Sequence, residues 1–197
     1  RDDLARVLRR GVSPDRRLYP AMPYTSFRGM SDADIDALYV WLMDQEPVDE
    51  PPLHQTDLPF PFNIRLAMAG WQNLFFSPNR FEPEEGQSEI YNRGKYLAYG
   101  PAHCVACHSP RNALGALEWD KALTGSPGGT GGRAPAITAD ALVAEGYDVA
   151  TLVQTLKDGF TPGFDVLGGS MGEVISDSTS HWTDEDLTAL ATYLLAE

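Results

Sequence analysis

Cys104 and Cys107 are the only two cysteines of the chain, and His108 directly follows the second in "GPAHCVACHSPRNALGA" (100–116). Two thiols at this spacing share one edge of a helical turn. They could add across two vinyl groups of a haem, and the next residue would then bring its imidazole beneath the iron. That is the attachment pattern of c-type haem. Zinc is the main rival, but it takes four ligands. With no third cysteine it would have to recruit His103, His54 or His181, none at a typical spacing. A redox dithiol normally follows a strand in a βαβ unit, and no such unit is legible here.

A haem iron has a second face. Met171 stands in "GGSMGEV", a glycine-flanked stretch that reads as a loop just before the last helix. A loop methionine has less reason than a helix-stripe methionine to be plain core, and a thioether raises the potential of the iron it binds. His181 is the alternative ligand, and an open or otherwise filled site is the third reading. His103 is too close to the attachment turn to reach the far face. Met30, Met43 and Met68 lie in or beside apolar helical patterns and read as core.

The elements that must carry these residues are helical. "DDLARVLRRG" places Leu4, Val7 and Leu8 on one side and stops at Gly11. "SDADIDALYVWLM" (31–43) opens with Ser31 as N-cap and sets Ile35, Leu38 and Leu42 on one face. "SEIYNRGKYLAYG" (88–100) has a stripe of Ile90, Gly94 and Leu97. Val149 to Asp158 forms a short helix that stops at Gly159. "TDEDLTALATYLLAE" (183–197) is capped by Thr183 and carries Leu187, Leu190 and Leu194. "FNIRLAMAGWQNLFF" (62–76) reads as an amphipathic helix, with a peripheral membrane or partner contact as the alternative. The proline-rich stretch 44–62 reads as an extended connector. "GSPGGTGGRAP" (125–135) lacks the ending of a phosphate loop and reads as a flexible loop. No long alternating run argues for a sheet, so the fold class is all-α with long loops.

The bulk properties exclude some functions. A net charge of −13 argues against a nucleic-acid partner, because phosphate binding needs a basic face, and no run reaches the roughly 18 apolar residues of a membrane span. No convincing nucleophile–base constellation stands out.

The chain also echoes itself. Residues 31–45 match 183–197 in step: Ser31 with Thr183, Asp34 with Asp186, Ala37 with Ala189, Leu38 with Leu190, and Leu42 with Leu194. Upstream, "LARVLRRG" (4–11) matches "LVQTLKDG" (152–159). Each half places a methionine between the glycine stop and its last helix, Met22 in the first and Met171 in the second.

Taken together, "YPAMPYTSF", "NRGKYLAYGPAHCVACHSPRNALGA" and "GGSMGEVISDSTSHWTDEDLTALATYLL" resemble the multi-haem cytochrome c subunits of membrane-bound periplasmic dehydrogenases. The resemblance covers nearly the whole chain and implies tandem class-I cytochrome c modules. Residues 1–46 would be the C-terminal part of a first module, 47–86 a connector with an amphipathic segment, and 87–197 a complete module. By position, Cys104 and Cys107 would hold haem c, with His108 and Met171 as axial ligands. The Pro135 carbonyl would accept the His108 ring proton, and Arg111 would lie near a propionate. Gly94 would let the first helix of the module cross the last one near Tyr193 and Leu194. Met22 matches a distal ligand, yet no CxxCH precedes it. The expectation is therefore that the sequence begins inside its first module and that a second haem near Met22 is anchored before Arg1; the other reading is a module that has lost its haem.

The function implied is an electron-transfer subunit, itself non-catalytic. It would relay electrons from a dehydrogenase catalytic partner to quinone or a terminal acceptor, in the periplasm and in association with the membrane. A free-standing periplasmic carrier and a haem enzyme of peroxidase or thiosulfate-oxidising type are the alternatives.

Overall fold

A computed structural model describes residues 1–48, 58–60, 63–128 and 133–196, and divides the chain into two units, Arg1–Phe81 and Glu82–Glu197. The described residues are mostly helical. His54, the heart of the proline-rich stretch and residues 129–132 of the glycine-rich segment lie outside them.

In the first unit, α1 (Asp2–Arg10) ends at Gly11, whose φ of 60° is left-handed and whose N–H caps Val7 O. Only glycine fits there, because a Cβ would stand 2.5 Å from the Tyr24 ring. A short turn of helix, α2 (Tyr24–Phe27), leads to α3 (Asp32–Met43). Ser31 caps α3 as its spacing predicts, taking the Asp34 N–H at 3.0 Å. Leu8, Met30 and Ile35 form the core, with Leu4, Ala5, Met22, Phe27 and Leu38 packed on it. Two sequence expectations fail here: Leu42 and Met43 are exposed, and only Ile35 and Leu38 of the expected face turn inward. The fourth helix, α4 (Ala67–Phe75), falls within the segment read as amphipathic. Gln72 anchors it by donating to Arg10 O at 3.2 Å and accepting from Arg17, and Phe76 meets the Tyr24 ring edge-on at 5.3 Å. Met68 on this helix is half-buried.

The second unit is built around one helix crossing. Its elements are α5 (Glu89–Tyr99), α6 (Cys104–Cys107), strands β1 (Ser126–Pro127) and β2 (Arg133–Ala134), α7 (Ala139–Ala144), α8 (Val149–Asp158), α9 (Gly169–Asp177) and α10 (Asp184–Leu194). The first and last helices cross at Gly94, where a Cβ would lie 2.0 Å from Ala189 O and 2.6 Å from Tyr193 Cβ. The approach is closer than any side chain permits, so glycine sets the interhelical distance. Tyr91 and Tyr99 pack edge-on against the Tyr193 ring at 5.1 and 6.1 Å. Outside this contact, Arg93 gives Nε and Nη2 to the two carboxylate oxygens of Asp186, both at 2.7 Å. The expected crossing at Gly94 and Tyr193 is borne out. Of the expected stripe Gly94 and Leu97 are buried, but Ile90 is exposed and its neighbour Tyr91 turns inward. The Tyr91 ring finds an edge-on partner in Tyr193 that hydropathy does not register, and hydropathy alone favours the isoleucine.

Helix α8 starts at a capping box in which Asp148 and Thr151 exchange hydrogen bonds, and it stops at left-handed Gly159. The glycine-rich segment is not wholly loop. Its ends pair as an antiparallel ribbon, Ser126 opposite Ala134 and Pro127 opposite Arg133.

Candidate haem-binding site

The CxxC stretch folds as a single helical turn, α6, with the His108 N–H donating to Cys104 O at 2.9 Å. Both cysteines are free, Cys104 half-buried and Cys107 exposed. Burial is the main reason the Cys104 thiol is pushed up to about 12, with Cys107 beside it adding to the shift. The turn is entered through His103 at a φ of 45°, an uncommon conformation for a residue with a side chain.

After α6 the chain forms a folded loop, and its bonds explain why it returns. Arg111 is half-buried and reaches back with Nη2 to Ala106 O and with Nη1 to Gly115 O, both at 2.9 Å. Asn112 Oδ1 takes the N–H groups of Leu114 and Ala116. Buried Ser109 accepts the Leu123 N–H at 3.0 Å, Gly125 N–H donates to His108 O at 2.8 Å, and Ile137 N–H donates to Leu123 O at 2.9 Å. The β1–β2 ribbon then brings residues 133–137 alongside 123–125. Gly125 makes this approach possible: its φ is 93°, and a Cβ would lie 2.8 Å from Ala136 N.

At the end of that path the Pro135 carbonyl lies 2.8 Å from His108 Nδ1. A carbonyl can only accept, so Nδ1 carries the proton and Nε2 keeps its lone pair. Burial holds the ring below the usual histidine range, opposed by the bond to Pro135, so the imidazole is neutral near pH 7. A neutral, oriented imidazole is what a metal ligand needs. Burial also lowers Arg111, against the pull of Cys107, but guanidinium remains charged.

The structure therefore gathers Cys104, Cys107, His108, Arg111 and Pro135 around one turn. Met171 belongs to the same unit but is not on a loop. It occupies the first turn of α9, half-buried. The glycines of "GGSMGEV" hid a helical signal, the apolar spacing of Met171, Val174 and Ile175, of which Ile175 is buried. His181 is exposed on a 3₁₀ turn, Thr179–His181. Met22 sits in the other unit, packed on the Leu8–Met30–Ile35 cluster. Sequence reasoning missed Ser109, Leu123 and Gly125 as the residues that aim the Pro135 carbonyl. The one available signal was a glycine shortly before a Pro-containing turn. Among the described residues no three His, Cys, Asp or Glu side chains gather as a metal site.

The donor set suits a covalently held haem: two free thiols on one turn and a neutral imidazole with Nε2 available. The chain is homologous, over nearly its whole length, to cytochrome c subunits of dehydrogenases, and the resemblance read from its residues holds. A nicotinate dehydrogenase subunit of Pseudomonas putida is 41% identical over 191 residues, 96% of this chain and 16% of that protein. A diheme cytochrome c-type protein of Cereibacter sphaeroides is 39% identical over 202 residues, 98% of this chain and 64% of that protein. The cytochrome c subunit of a quinone alcohol dehydrogenase of Gluconacetobacter polyoxogenes is 38% identical over 198 residues, 95% of this chain and 42% of that protein. The chain thus spans less than two thirds of each of these relatives. No protein-family model matches it. No helix among the described residues is long and apolar enough to cross a membrane.

Proposed function

We propose that the chain is an electron-transfer segment of a dehydrogenase cytochrome c subunit, with one c-type haem held by Cys104 and Cys107. The observation that carries this reading is the 2.8 Å hydrogen bond from His108 Nδ1 to Pro135 O, beside two free thiols on one helical turn. It leaves His108 Nε2 as a ready axial ligand, and Met171 is the proposed ligand on the other side. When bound, haem c supplies a one-electron iron couple. The protein's part is to hold the imidazole neutral and aimed, to offer a soft thioether, and to keep water away.

Several large apolar side chains of the second unit are exposed, including Leu114, Phe160, Val166 and Phe164, the last 97% exposed. Apolar surface on this scale favours a large apolar group or partner that covers it. The two units are read as tandem cytochrome c modules, with Met22 as a proposed distal ligand in the first. Electrons would come from a dehydrogenase catalytic subunit, as the names of the relatives suggest, and pass to quinone or another acceptor. The setting is the periplasmic side of a membrane, where c-type haem is attached.

The test is the spectrum of the protein produced with cytochrome c maturation. Haem that survives acid–acetone extraction in the natural chain, and is released from the double variant Cys104→Ala/Cys107→Ala, supports the proposal. A natural chain that yields no covalent haem overturns it.

A further inference from the structure

Basic charge is gathered in two stretches of an acidic chain. Residues 4–31 and 58–81 hold eight arginines and one carboxylate, Asp15, while the net charge of the chain is −13. In the first unit these stretches meet at α4. Gln72 ties the helix to Arg10 O and to the Arg17 guanidinium. Arg65 lies over the Tyr19 ring at 5.2 Å, with Nη1 3.5 Å from Arg17 O. Arg6, Arg9, Arg16 and Arg80 pair with Asp3, Asp32, Asp15 and Asp32. Arg10, Arg17 and Arg65 are exposed, and among the described residues no carboxylate pairs with them. The outward side of the same helix is apolar. Leu66, Gly70 and Leu74 recur at four-residue spacing, opposite buried Gln72. Leu66 is 82% and Leu74 74% exposed, Phe60 and Ile64 before them are exposed too, and a Cβ at Gly70 would meet nothing within 4 Å.

We propose that this face of α4 lies on an anionic lipid surface, with Leu66 and Leu74 at the acyl boundary and Arg10, Arg17 and Arg65 on headgroup phosphates. An interfacial helix needs an apolar strip with cations beside it, and both are present. Arginine stems can stay on apolar surface while the guanidinium reaches outward, where its fork of N–H donors fits a phosphate. Charge selects the lipid, because anionic headgroups attract the arginines that the rest of the chain lacks. Leu66, Ala67, Gly70 and Leu74 offer no side-chain hydrogen bond to fix the register of a protein partner, and lipid asks for none. A second copy of the chain would bring the same arginines up against these. The helix is also ready before contact. At nine residues it is too short to stay helical alone in water, and Gln72 with the Phe76–Tyr24 ring contact holds it on the unit.

The inference rests on the proposed membrane setting and needs no haem. The test sediments the full chain, produced with cytochrome c maturation, with phosphatidylglycerol vesicles and with phosphatidylcholine vesicles. It should bind the first, less so as salt rises, and bind the second poorly. Leu66→Glu/Leu74→Glu should lower binding about tenfold or more. Arg10→Gln/Arg65→Gln should lower it about fivefold per arginine and flatten the salt dependence. These four side chains are exposed, so the variants should melt close to the natural chain. Gly70→Glu, whose side chain enters open space, should lose binding as the leucine variant does. Val143→Ser removes an apolar side chain that is 61% exposed on α7, and should bind as the natural chain does. Binding to neither vesicle, equal binding to both, or binding that Leu66→Glu/Leu74→Glu leaves intact overturns the proposal. So does a dimer of the vesicle-free chain that the leucine variant abolishes, because a second copy would then cover this face. Covalent haem is read by absorption in the same samples. Its failure at Cys104 and Cys107 would fault the functional reading and leave vesicle binding to be judged alone.

Discussion

The ring of His108 hydrogen-bonds to the carbonyl of Pro135, 27 residues further along the chain, at 2.8 Å. The acceptor is backbone, so no substitution at Pro135 deletes it directly. Gly125 places that acceptor: its N–H also holds His108 O, and its missing side chain admits the returning strand. Imidazole orientation is therefore set by a glycine that never touches the ring.

Gly125→Ala should disturb this relay. A non-glycine residue in such backbone costs about 1–3 kcal/mol, and the new Cβ would also press on Ala136 N. Urea denaturation should show a loss of about 2–3 kcal/mol, and the haem-loaded variant should show a weakened or heterogeneous His–iron signature by resonance Raman. A variant as stable as the natural chain would show that the turn does not need glycine.

Gly94→Ala tests the helix crossing. Alanine gains up to about 1 kcal/mol of helix propensity over glycine, but its Cβ would sit 2.0 Å from a backbone oxygen that cannot swing away. Overpacking of this kind costs about 1–3 kcal/mol, sometimes more. Clash should win, giving a net loss of about 2 kcal/mol in chemical denaturation. Gly70, whose added Cβ meets nothing within 4 Å, is the control, and Gly70→Ala should be neutral or stabilising.

Met171→Ala separates the candidate ligands for the second face of the iron. The ferric protein should lose its methionine-to-iron charge-transfer band, while His181→Ala should keep it. Unfolding without haem should change by only about 1 kcal/mol, since the side chain is half-buried. A band that persists in Met171→Ala would remove Met171 from the site.

Acid should loosen α8 first at its cap. Asp148 is held below its ordinary value of 3.8, chiefly by the Thr151 N–H it accepts. A carboxylate lowered in the folded state stabilises it above the unfolded value, and that contribution is lost as pH falls through the folded value. Asparagine at this position would cap comparably without titrating. Below pH 3.8 the melting temperature of the natural chain should therefore fall more steeply than that of Asp148→Asn. Parallel curves would show that the cap contributes nothing to the acid limb.

Much of the local structure is legible in the sequence. Helix starts at Ser31, Ser88, Asp148 and Thr183 and stops at Gly11 and Gly159 involve groups within a few residues of one another. Such bonds depend on residue type and spacing alone. The CxxCH turn and the internal repeat are of the same kind. Sequence and structure part where glycine conceals a helix at Met171, where Tyr91 takes the buried place given to Ile90, and where Leu42 and Met43 follow an apolar pattern onto an exposed face.

Sequence by itself thus determined which residues could clamp a haem, the helix ends marked by local caps and glycines, and that two stretches of the chain echo each other in residue pattern. Tertiary structure decided by what path Pro135 reaches His108, how closely Gly94 meets Ala189, and that Trp41 lies bare where Tyr193 is covered. The physical reason is that these outcomes join segments far apart in the chain. They depend on loop paths and on which helix fills a face, and no short-range spacing encodes either.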